Sequence, residues 1–537
     1  MKTVFIWLLF GLSLLLLGAS VSFTAGGRTY HELIVTREEY DLLRSSRSET
    51  EEGLLRSVSF DEAPLFYNSP DGEWFYSRTG KADPVVSHRG SVRGVRLAFS
   101  DVFSTGGAVP FLAYTDDSYQ EYTLVSTTLP LIRIECDEEF YTVMDHTADS
   151  FPGSDIKSAV YPMRFTLIDN RPERLRSTVI SEGTVHVRGG STMEFPKKNL
   201  RISLLEKSVG KDMKEYTPDL LGLRQDGDWL LYSAYNDQEK VRNVFSSNLW
   251  IESCAFDNRF GLKNGMEYRF VELFFNDRYW GLYALGYPVD AKQMNIKPDI
   301  EGHYDEFLFK QKAFGPNDIG SDGIILQFEA DESDQNNGVG IMGMYFEMIK
   351  QENPAAFWHN DADNILDIWL FLKLGQAYDT IRIAGQSKNL FYTIKMTDAG
   401  RIILFTPWDA DNYWGNVWSK NAKNKTIPYG LDPDDNTYEN TVNPISYLRR
   451  QDDAYNRMIQ TRYEELRADG WSDAAVDGLI DGYERDIFGS GAYWRDMRRW
   501  PEGTYQDPDL GLSLFREYVH KRLDSMDGYI ENLSDMP

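Results

Sequence analysis

The sequence predicts an α+β protein in which a strand-rich first part precedes a helix-rich second part. Up to about residue 312, short apolar runs rich in β-branched and aromatic residues alternate with Gly, Asp and Asn turns, a pattern typical of strands. From about residue 340, apolar residues recur at helical spacing. A hydrophobic content of 42% and an aromatic content of 14% can supply a sizeable core. Together these observations favour an α+β layout in two lobes.

The chain length and charge restrict the class of protein. The 537 residues suffice for two to four domains, or for one large domain with additions. The net charge of −27, from 83 acidic and 56 basic residues, excludes the basic footprint of a general nucleic-acid binder. With only Cys136 and Cys254, the chain has no disulfide scaffold. One disulfide between them and two free thiols remain equally open.

The N-terminus has the pattern of a targeting segment. A short basic start is followed by an apolar run and then by small residues up to about residue 27. The run is also just long enough to cross a bilayer. We therefore interpret residues 1–27 as a signal peptide or an uncleaved N-terminal anchor. The protein is expected to be exported, and to be secreted, held at the cell surface or anchored in the membrane.

Residues 28–127 are predicted to form a small β-rich module. Turn sequences such as Ser69-Pro70-Asp71-Gly72 separate aromatic and β-branched runs such as Glu73-Trp74-Phe75-Tyr76. A small sandwich that presents or docks the rest of the chain is the expected structure. No residue of this module suggests chemistry.

The remaining chain, 128–537, is predicted as one larger unit with a strand-rich lobe at about 128–312 and a helix-rich lobe at about 340–537. A polar, Gly- and Asp-rich insertion loop is expected between them, at 315–340. The predicted strands are 129–134, 161–168, 183–188, 195–204, 227–232, 268–275, 279–285, 306–310, 389–394 and 402–405. The predicted helices are 40–47, 239–252, 342–351 and 365–377, followed by amphipathic helices after about residue 453.

The candidate site lies where the second part combines a helix, a loop and a hairpin. Asp379 follows the apolar helix, Asn389 opens the first hairpin strand, and Asp409 and Asp411 follow the second strand. That order can direct carboxylate and amide oxygens to one point, as a hard divalent cation holding phosphates requires. The alternative is that these are ordinary turn residues, since Asp and Asn are common at strand ends.

A second candidate element is a small-residue loop followed by a lysine pair. Gly189 and Gly190 offer backbone N–H groups without side-chain obstruction, and Lys197 and Lys198 offer positive charge. Strand alternation predicts that only one of these two lysines points inward, and we favour Lys198. A hairpin turn with solvated lysines is the alternative interpretation.

Several runs together resemble the CotH family of atypical, exported spore-coat protein kinases. They occur in the family's order over about residues 128–420, with a possible extension to about 530. The runs are Val187-Arg188-Gly189-Gly190-Ser191-Thr192, Phe195-Pro196-Lys197-Lys198, Asp228-Trp229-Leu230-Leu231 to Asn236-Asp237, Val241-Arg242-Asn243, Val271-Glu272-Leu273-Phe274-Phe275-Asn276, Tyr279-Trp280-Gly281-Leu282-Tyr283 and Pro407-Trp408-Asp409-Ala410-Asp411. The resemblance implies a protein-kinase-like fold that binds ATP between two lobes and uses Mg²⁺, with Mn²⁺ as an alternative. It also implies transfer of the γ-phosphate to Ser or Thr of exported surface or coat proteins.

The resemblance assigns roles to individual residues. Asp379 is implied as the catalytic residue that orients and deprotonates the substrate hydroxyl, with Asp367 and Asp411 as alternatives. Asn389 and Asp409 are implied as metal ligands, and Asp411 lies beside them. The implied ATP-binding residues are Arg188, Gly189, Gly190, Lys197, Lys198 and Arg242, with Lys310 as a third lysine candidate.

Two other functions remain open at this stage. One is a catalytically inactive surface or coat-assembly scaffold, in which the aromatic hairpin 279–283 and the N-terminal module bind partners. The other is carbohydrate binding or hydrolysis, although glycosidase carboxylates usually come from separate segments. The expected partners are exported proteins, with no nucleic acid.

Overall fold

A computed structural model of the chain describes residues 23–25, 28–31, 33–78, 84–99, 101–145, 159–170, 178–206, 214–312, 323–382, 386–419, 422–426 and 442–533. Almost all of the predicted targeting segment, 1–27, lies outside these residues. Among the described residues, none of the helices combines the length and the hydrophobicity that crossing a bilayer requires.

The described strands and helices confirm a mixed α+β protein. The strands are β1 (Phe23–Ala25), β2 (Arg28–His31), β3 (Ser48–Glu49), β4 (Leu55–Phe60), β5 (Ala63–Pro64), β6 (Phe66–Asn68), β7 (Glu73–Ser77), β8 (Val86–Gly90), β9 (Gly94–Leu97), β10 (Gly107–Tyr114), β11 (Ser118–Thr127), β12 (Leu131–Cys136), β13 (Tyr161–Ile168), β14 (Thr178–Arg188), β15 (Asn199–Leu205), β16 (Asp228–Tyr232), β17 (Tyr268–Phe275), β18 (Arg278–Gly286), β19 (Phe307–Gln311), β20 (Ile324–Leu326), β21 (Ile381–Arg382), β22 (Gln386–Ser387), β23 (Leu390–Thr397), β24 (Gly400–Pro407), β25 (Asn416–Ser419) and β26 (Ala422–Thr426). The α-helices are α1 (Arg37–Ser45), α2 (Val102–Thr105), α3 (Glu138–Asp145), α4 (Arg242–Ser253), α5 (Glu332–Lys350), α6 (Ala362–Leu374), α7 (Ile445–Gln451), α8 (Asp453–Ala468), α9 (Asp473–Tyr483), α10 (Ala492–Arg499) and α11 (Ser513–Glu531).

The N-terminal strands form two sheets. One has the order β1-β2-β8-β4-β5 and the other the order β6-β7-β11-β10-β9, with β3 paired to β11. Buried residues of both sheets, including Val58, Trp74 and Leu124, form a common core. A smaller aromatic cluster joins this module to the next unit, because Phe75 stacks on Tyr279 with ring centroids 5.2 Å apart.

The next unit is a closed barrel with the strand order β12-β13-β14-β15-β16-β18-β17. All of its pairings are antiparallel except the one that closes it, in which β12 runs parallel to β17. Helix α4 follows β16 and packs against β17. Closure leaves no free sheet edge in the barrel.

The last unit combines a four-stranded sheet, β20-β19-β23-β24, with most of the helices. One hydrophobic core runs through both this unit and the barrel, from Ile132 and Trp229 to Leu372 and Leu523. Helix α6 is buried along almost its whole length beneath β24. The two units therefore pack as one body around a shared core.

The predicted insertion loop at 315–340 is wrong over its second half. Residues 313–322 lie outside the described part, but β20 follows and α5 starts at Glu332. The side chain of Asp331 caps this helix by accepting a hydrogen bond from the Asp334 N–H. Both described cysteines are free thiols rather than a disulfide.

Candidate functional site

The turn after β24 carries two acidic residues of different exposure. Asp409 is exposed and has φ +59°, a left-handed backbone conformation that is uncommon for residues other than Gly. Asp411 is only 5% exposed and lies in the 3-10 turn Ala410–Asn412. The turn thus presents one carboxylate to solvent and holds the other behind it.

Two asparagines from the barrel unit hold this turn in place. Asn236 Nδ2 donates to Asp411 Oδ2 at 3.1 Å. The backbone N–H of Ala410 donates to Asn243 Oδ1, in the first turn of α4, at 2.9 Å. The sequence interpretation gave neither asparagine a role, although both lie in runs that resemble the CotH family.

Asp379 and Asn389 are in direct contact, as the helix–loop–hairpin order predicts. Asn389 Nδ2 donates to Asp379 Oδ2 at 3.3 Å. Lys388 Nζ lies 2.7 Å from the same oxygen, so that this carboxylate is ion-paired as well as hydrogen-bonded. Lys388 was not predicted as a site residue. The sequence indicated it only as a basic residue next to Asn389.

Asp379 and Asp409 are near enough to Asp411 for their charges to act on it. The pKa of Asp411 is raised well above its usual range, first by burial and then by the negative charges of Asp409 and Asp379. Hydrogen bonding from Asn236 opposes this effect. Three carboxylates that repel one another, with an amide oxygen beside them, are a donor set that suits a hard divalent cation such as Mg²⁺.

These carboxylates form an open group rather than a closed cage. Within the described ranges, a compact group of three possible metal ligands occurs elsewhere, at His303, Asp331 and Asp334. The ligand atoms of these three side chains all lie within 4.8 Å of one another. Mg²⁺ usually keeps several waters and is held by one or two carboxylates plus phosphates. An open arrangement therefore fits a metal that is bound together with a nucleotide.

Two cationic side chains, Lys310 and Arg188, lie beside the ring of Trp408, which directly precedes the acidic turn. Lys310 Nζ lies 4.1 Å from the centroid of this ring, and Arg188 Cζ lies 5.4 Å from it. The pKa of Lys310 is lowered to about 7, first by burial and then by the charge of Arg188, while Asp409 opposes the change. In the described part of the chain, neither cation has a hydrogen-bonded acceptor. A bound polyanion would supply one.

The small-residue loop lies next to Arg188. Gly189 has φ +128°, and a Cβ there would come within 2.2 Å of Thr192 Oγ1. Gly190 has open space where a side chain would be. The loop is followed by the 3-10 turn Ser191–Glu194. Gly189 is therefore the position that requires glycine, whereas Gly190 leaves this part of the loop without side-chain cover.

The lysine pair is placed differently from the prediction. Strand β15 starts only at Asn199, so alternation does not apply to Lys197 and Lys198, and both are fully buried. Lys197 Nζ lies 2.8 Å from Asp496 Oδ1 and donates to the carbonyl of Ser233 at 2.8 Å. The charge of Lys197 is thus compensated inside the protein. Lys197 is therefore not placed to bind ATP.

Lys198 has only backbone partners. Its Nζ donates to the carbonyls of Phe195 at 3.0 Å and Met193 at 3.4 Å. Burial lowers the pKa of Lys198 to about 8. The assignment of Lys198 to ATP stays a prediction, with its ammonium beside the small-residue loop.

Arg242 and Asp367 are also held by internal partners. Arg242 is 4% exposed and forms ion pairs with Asp237 and Glu239. Asp367 is fully buried in α6, with Arg462 Nε 2.6 Å from its Oδ1. Arg242 therefore braces the start of α4, and Asp367 is not placed to replace Asp379.

A family model described as CotH kinase protein matches residues 185–339 and 347–526, which is more than half of the chain. No curated protein matches. The matched residues include both cations, the small-residue loop and all four residues of the acidic site.

Proposed function

Because this chain belongs to the CotH kinase protein family, we propose that it is an ATP-dependent Ser/Thr protein kinase. Its proposed substrates are exported surface or coat proteins, in keeping with the targeting segment that the sequence predicts at residues 1–27. In this proposal the barrel and the helix-rich unit act as the two lobes of a kinase-like fold, and the nucleotide lies between them.

The observation that carries the proposal is the meeting of oxygen donors and cations at one place. Asp379 contacts Asn389, and the charges of Asp379 and Asp409 act on Asp411. Arg188 and Lys310 lie beside the ring of Trp408, the residue that precedes Asp409. Phosphoryl transfer requires mainly positioning and charge neutralisation, which this arrangement offers.

Each group then has a defined task. Asn389 and Asp409, with Asp411 behind them, would hold Mg²⁺, which when bound neutralises charge on the phosphates. Arg188, Lys310 and the Gly189–Gly190 backbone bind the phosphates.

Proton transfer falls to Asp379, which accepts the proton of the Ser or Thr hydroxyl. Lys388 and the Asn389 amide fix the orientation of this carboxylate through contacts of 2.7 Å and 3.3 Å. Lys388 is therefore a positioning residue for Asp379.

The test measures ATP binding and phosphate transfer. The purified chain is titrated with ATP by calorimetry, with and without Mg²⁺ or Mn²⁺, and is incubated with γ-labelled ATP and a casein-like acceptor. We expect metal-dependent binding and labelling of the acceptor or of the chain itself, both lost in Asp409→Ala. Absence of nucleotide binding with either metal would refute the proposal.

A second candidate is a scaffold that binds nucleotide or partners without catalysis. One part of that idea loses support, because Tyr279 and Trp280 of the aromatic hairpin are 4% and 0% exposed. They are covered by the N-terminal module and by α10. A chain that binds ATP with Mg²⁺ but transfers no phosphate to any acceptor would favour the scaffold.

A further inference from the structure

A pocket of about 440 Å³ lies where the N-terminal module, the β17–β18 turn and α10 meet. Four arginines line it: Arg278, Arg495, Arg498 and Arg499. Asp71 is the acidic residue of its lining. The chain as a whole has a net charge of −27, whereas most charged residues that line this pocket are positive.

Two of the four arginines are compensated by carboxylates. Arg498 Nη2 donates to Glu73 Oε1 and Oε2 at 2.9 and 3.1 Å. Arg495 Nε donates to the buried Glu272 at 2.7 Å. These two arginines tie α10 to the module and to the barrel, so they form the rigid wall of the pocket.

The other two arginines have no acidic partner among the residues that the structure describes. Arg278 is exposed, and its Nη1 donates to Tyr141 Oη at 2.9 Å. Arg499 stacks with its Cζ 4.0 Å from the Trp500 ring centroid and 4.5 Å from that of Trp280. An arginine beside aromatic rings can still donate N–H groups to a carboxylate or phosphate.

The pocket is separate from the acidic site. Strand β17 starts at Tyr268, whose pKa is raised first by burial, with smaller effects from the nearby charges of Arg188 and Asp409. The strand ends at the turn that carries Arg278. Its eight residues span about 25 Å at the usual rise per residue. A ligand in the pocket therefore cannot take part in the chemistry at Asp379.

We propose that this pocket is a docking site for an anionic segment of a partner protein. The carboxylate or phosphate of that segment would pair with Arg278 and Arg499. The cavity is much larger than an inorganic anion requires, and its aromatic rings can contact the rest of a peptide. The strong negative charge elsewhere on the chain disfavours an anionic partner, so such a partner would be held at this pocket.

The test uses the full-length chain and three fluorescent peptides of one sequence, containing phosphoserine, glutamate or serine. Polarisation should show binding of an anionic peptide, weakening as salt is raised from about 0.05 to 0.5 M. Arg278→Gln, on an exposed turn, should weaken binding by about tenfold. Arg93→Gln, an exposed arginine outside the pocket, should leave it unchanged.

The outcomes separate the ligands and the alternatives. Binding of both anionic peptides would assign a carboxylate-type contact, and binding of the phosphoserine peptide alone would assign phosphate. Equal binding of the serine peptide, unchanged affinity in Arg278→Gln and Arg499→Gln, or equal competition by inorganic phosphate would overturn the proposal. Should Arg499→Gln fail to fold, Arg278→Gln alone decides. This proposal is independent of catalysis, since ATP titration of Arg278→Gln should match the unchanged chain.

Discussion

Replacing Lys310 by Met should stabilise the protein and weaken nucleotide binding together. Lys310 is half-buried beside Trp408 and Arg188, and its pKa is lowered from 10.5 to about 7. That difference corresponds to at most about 5 kcal/mol of unfavourable charging in the folded state. Since part of the side chain is solvated, we expect the free energy of unfolding to rise by about 2 to 3 kcal/mol.

The stabilisation expected from Lys310→Met depends on pH. Because the folded-state pKa lies below the unfolded-state pKa of 10.5, the cost of Lys310 is fully present below about pH 7. It falls as the pH rises and vanishes above the unfolded-state pKa. The gain in the Lys310→Met urea midpoint should therefore be large at pH 6.5 and small at pH 9.5.

Nucleotide affinity should change in the opposite direction. A charge-assisted hydrogen bond to a phosphate contributes about 1.5 to 3 kcal/mol, so Lys310→Met should weaken ATP binding by about 10- to 150-fold at pH 6.5. Lys297→Met removes an exposed lysine whose charge is not among those that act on Lys310, and it should change neither quantity. A lower urea midpoint together with unchanged ATP affinity would refute the placement of Lys310 at the phosphates.

Three further changes test other parts of the structure. Asp409→Asn should lower phosphate transfer by at least about 100-fold, and chelation of the metal should reduce the unchanged chain to the same level. Lys197→Met should destabilise the fold by about 3 to 5 kcal/mol in urea unfolding, because it leaves Asp496 buried without its cation, whereas Lys198→Met should cost much less. Because burial lowers the pKa of His88 from 6.5 to about 4, the folded state should lose up to about 3 kcal/mol as the pH falls from 6.5 to 4, and His88→Gln should reduce that loss.

Each of these changes has a matched control. Asp398→Asn alters an exposed hairpin turn on the same sheet and should keep full activity. His359→Gln alters an exposed histidine and should leave the acid sensitivity as it is. If Lys198→Met proves as destabilising as Lys197→Met, the buried ion pair with Asp496 is not what makes Lys197 structural.

The strands could be predicted well where their pattern was local. The predicted bounds 161–168 and 268–275 are those of β13 and β17. Only the second half of helix α5 was predicted, as a helix at 342–351, because the glycines and polar residues of its first half look like a loop. The structure explains Gly338, where a Cβ would come within 2.7 Å of the Phe307 ring, so the helix can pack closely only with glycine there.

In the candidate site, too, the sequence predicted the local arrangement but not the contacts between distant segments. The order of Asp379, Asn389 and Asp409 is local, and the contact between Asp379 and Asn389 agrees with the spacing. The partner of Lys197 could not be predicted, because Asp496 lies far along the chain and only tertiary packing brings it to the barrel. Lys310 was one of several lysine candidates, and its neighbours Arg188 and Trp408 come from two other segments.

The ion pair between Lys197 and Asp496 also bears on the order in which the molecule can mature. Synthesis delivers the barrel strands before α10, so the ammonium of Lys197 lacks this counter-charge until nearly the whole chain has been made. In a chain truncated before α10, the buried ammonium of Lys197 would have no ion-pair partner at Asp496. We therefore expect the barrel to reach its full stability only after α10 has packed against β18.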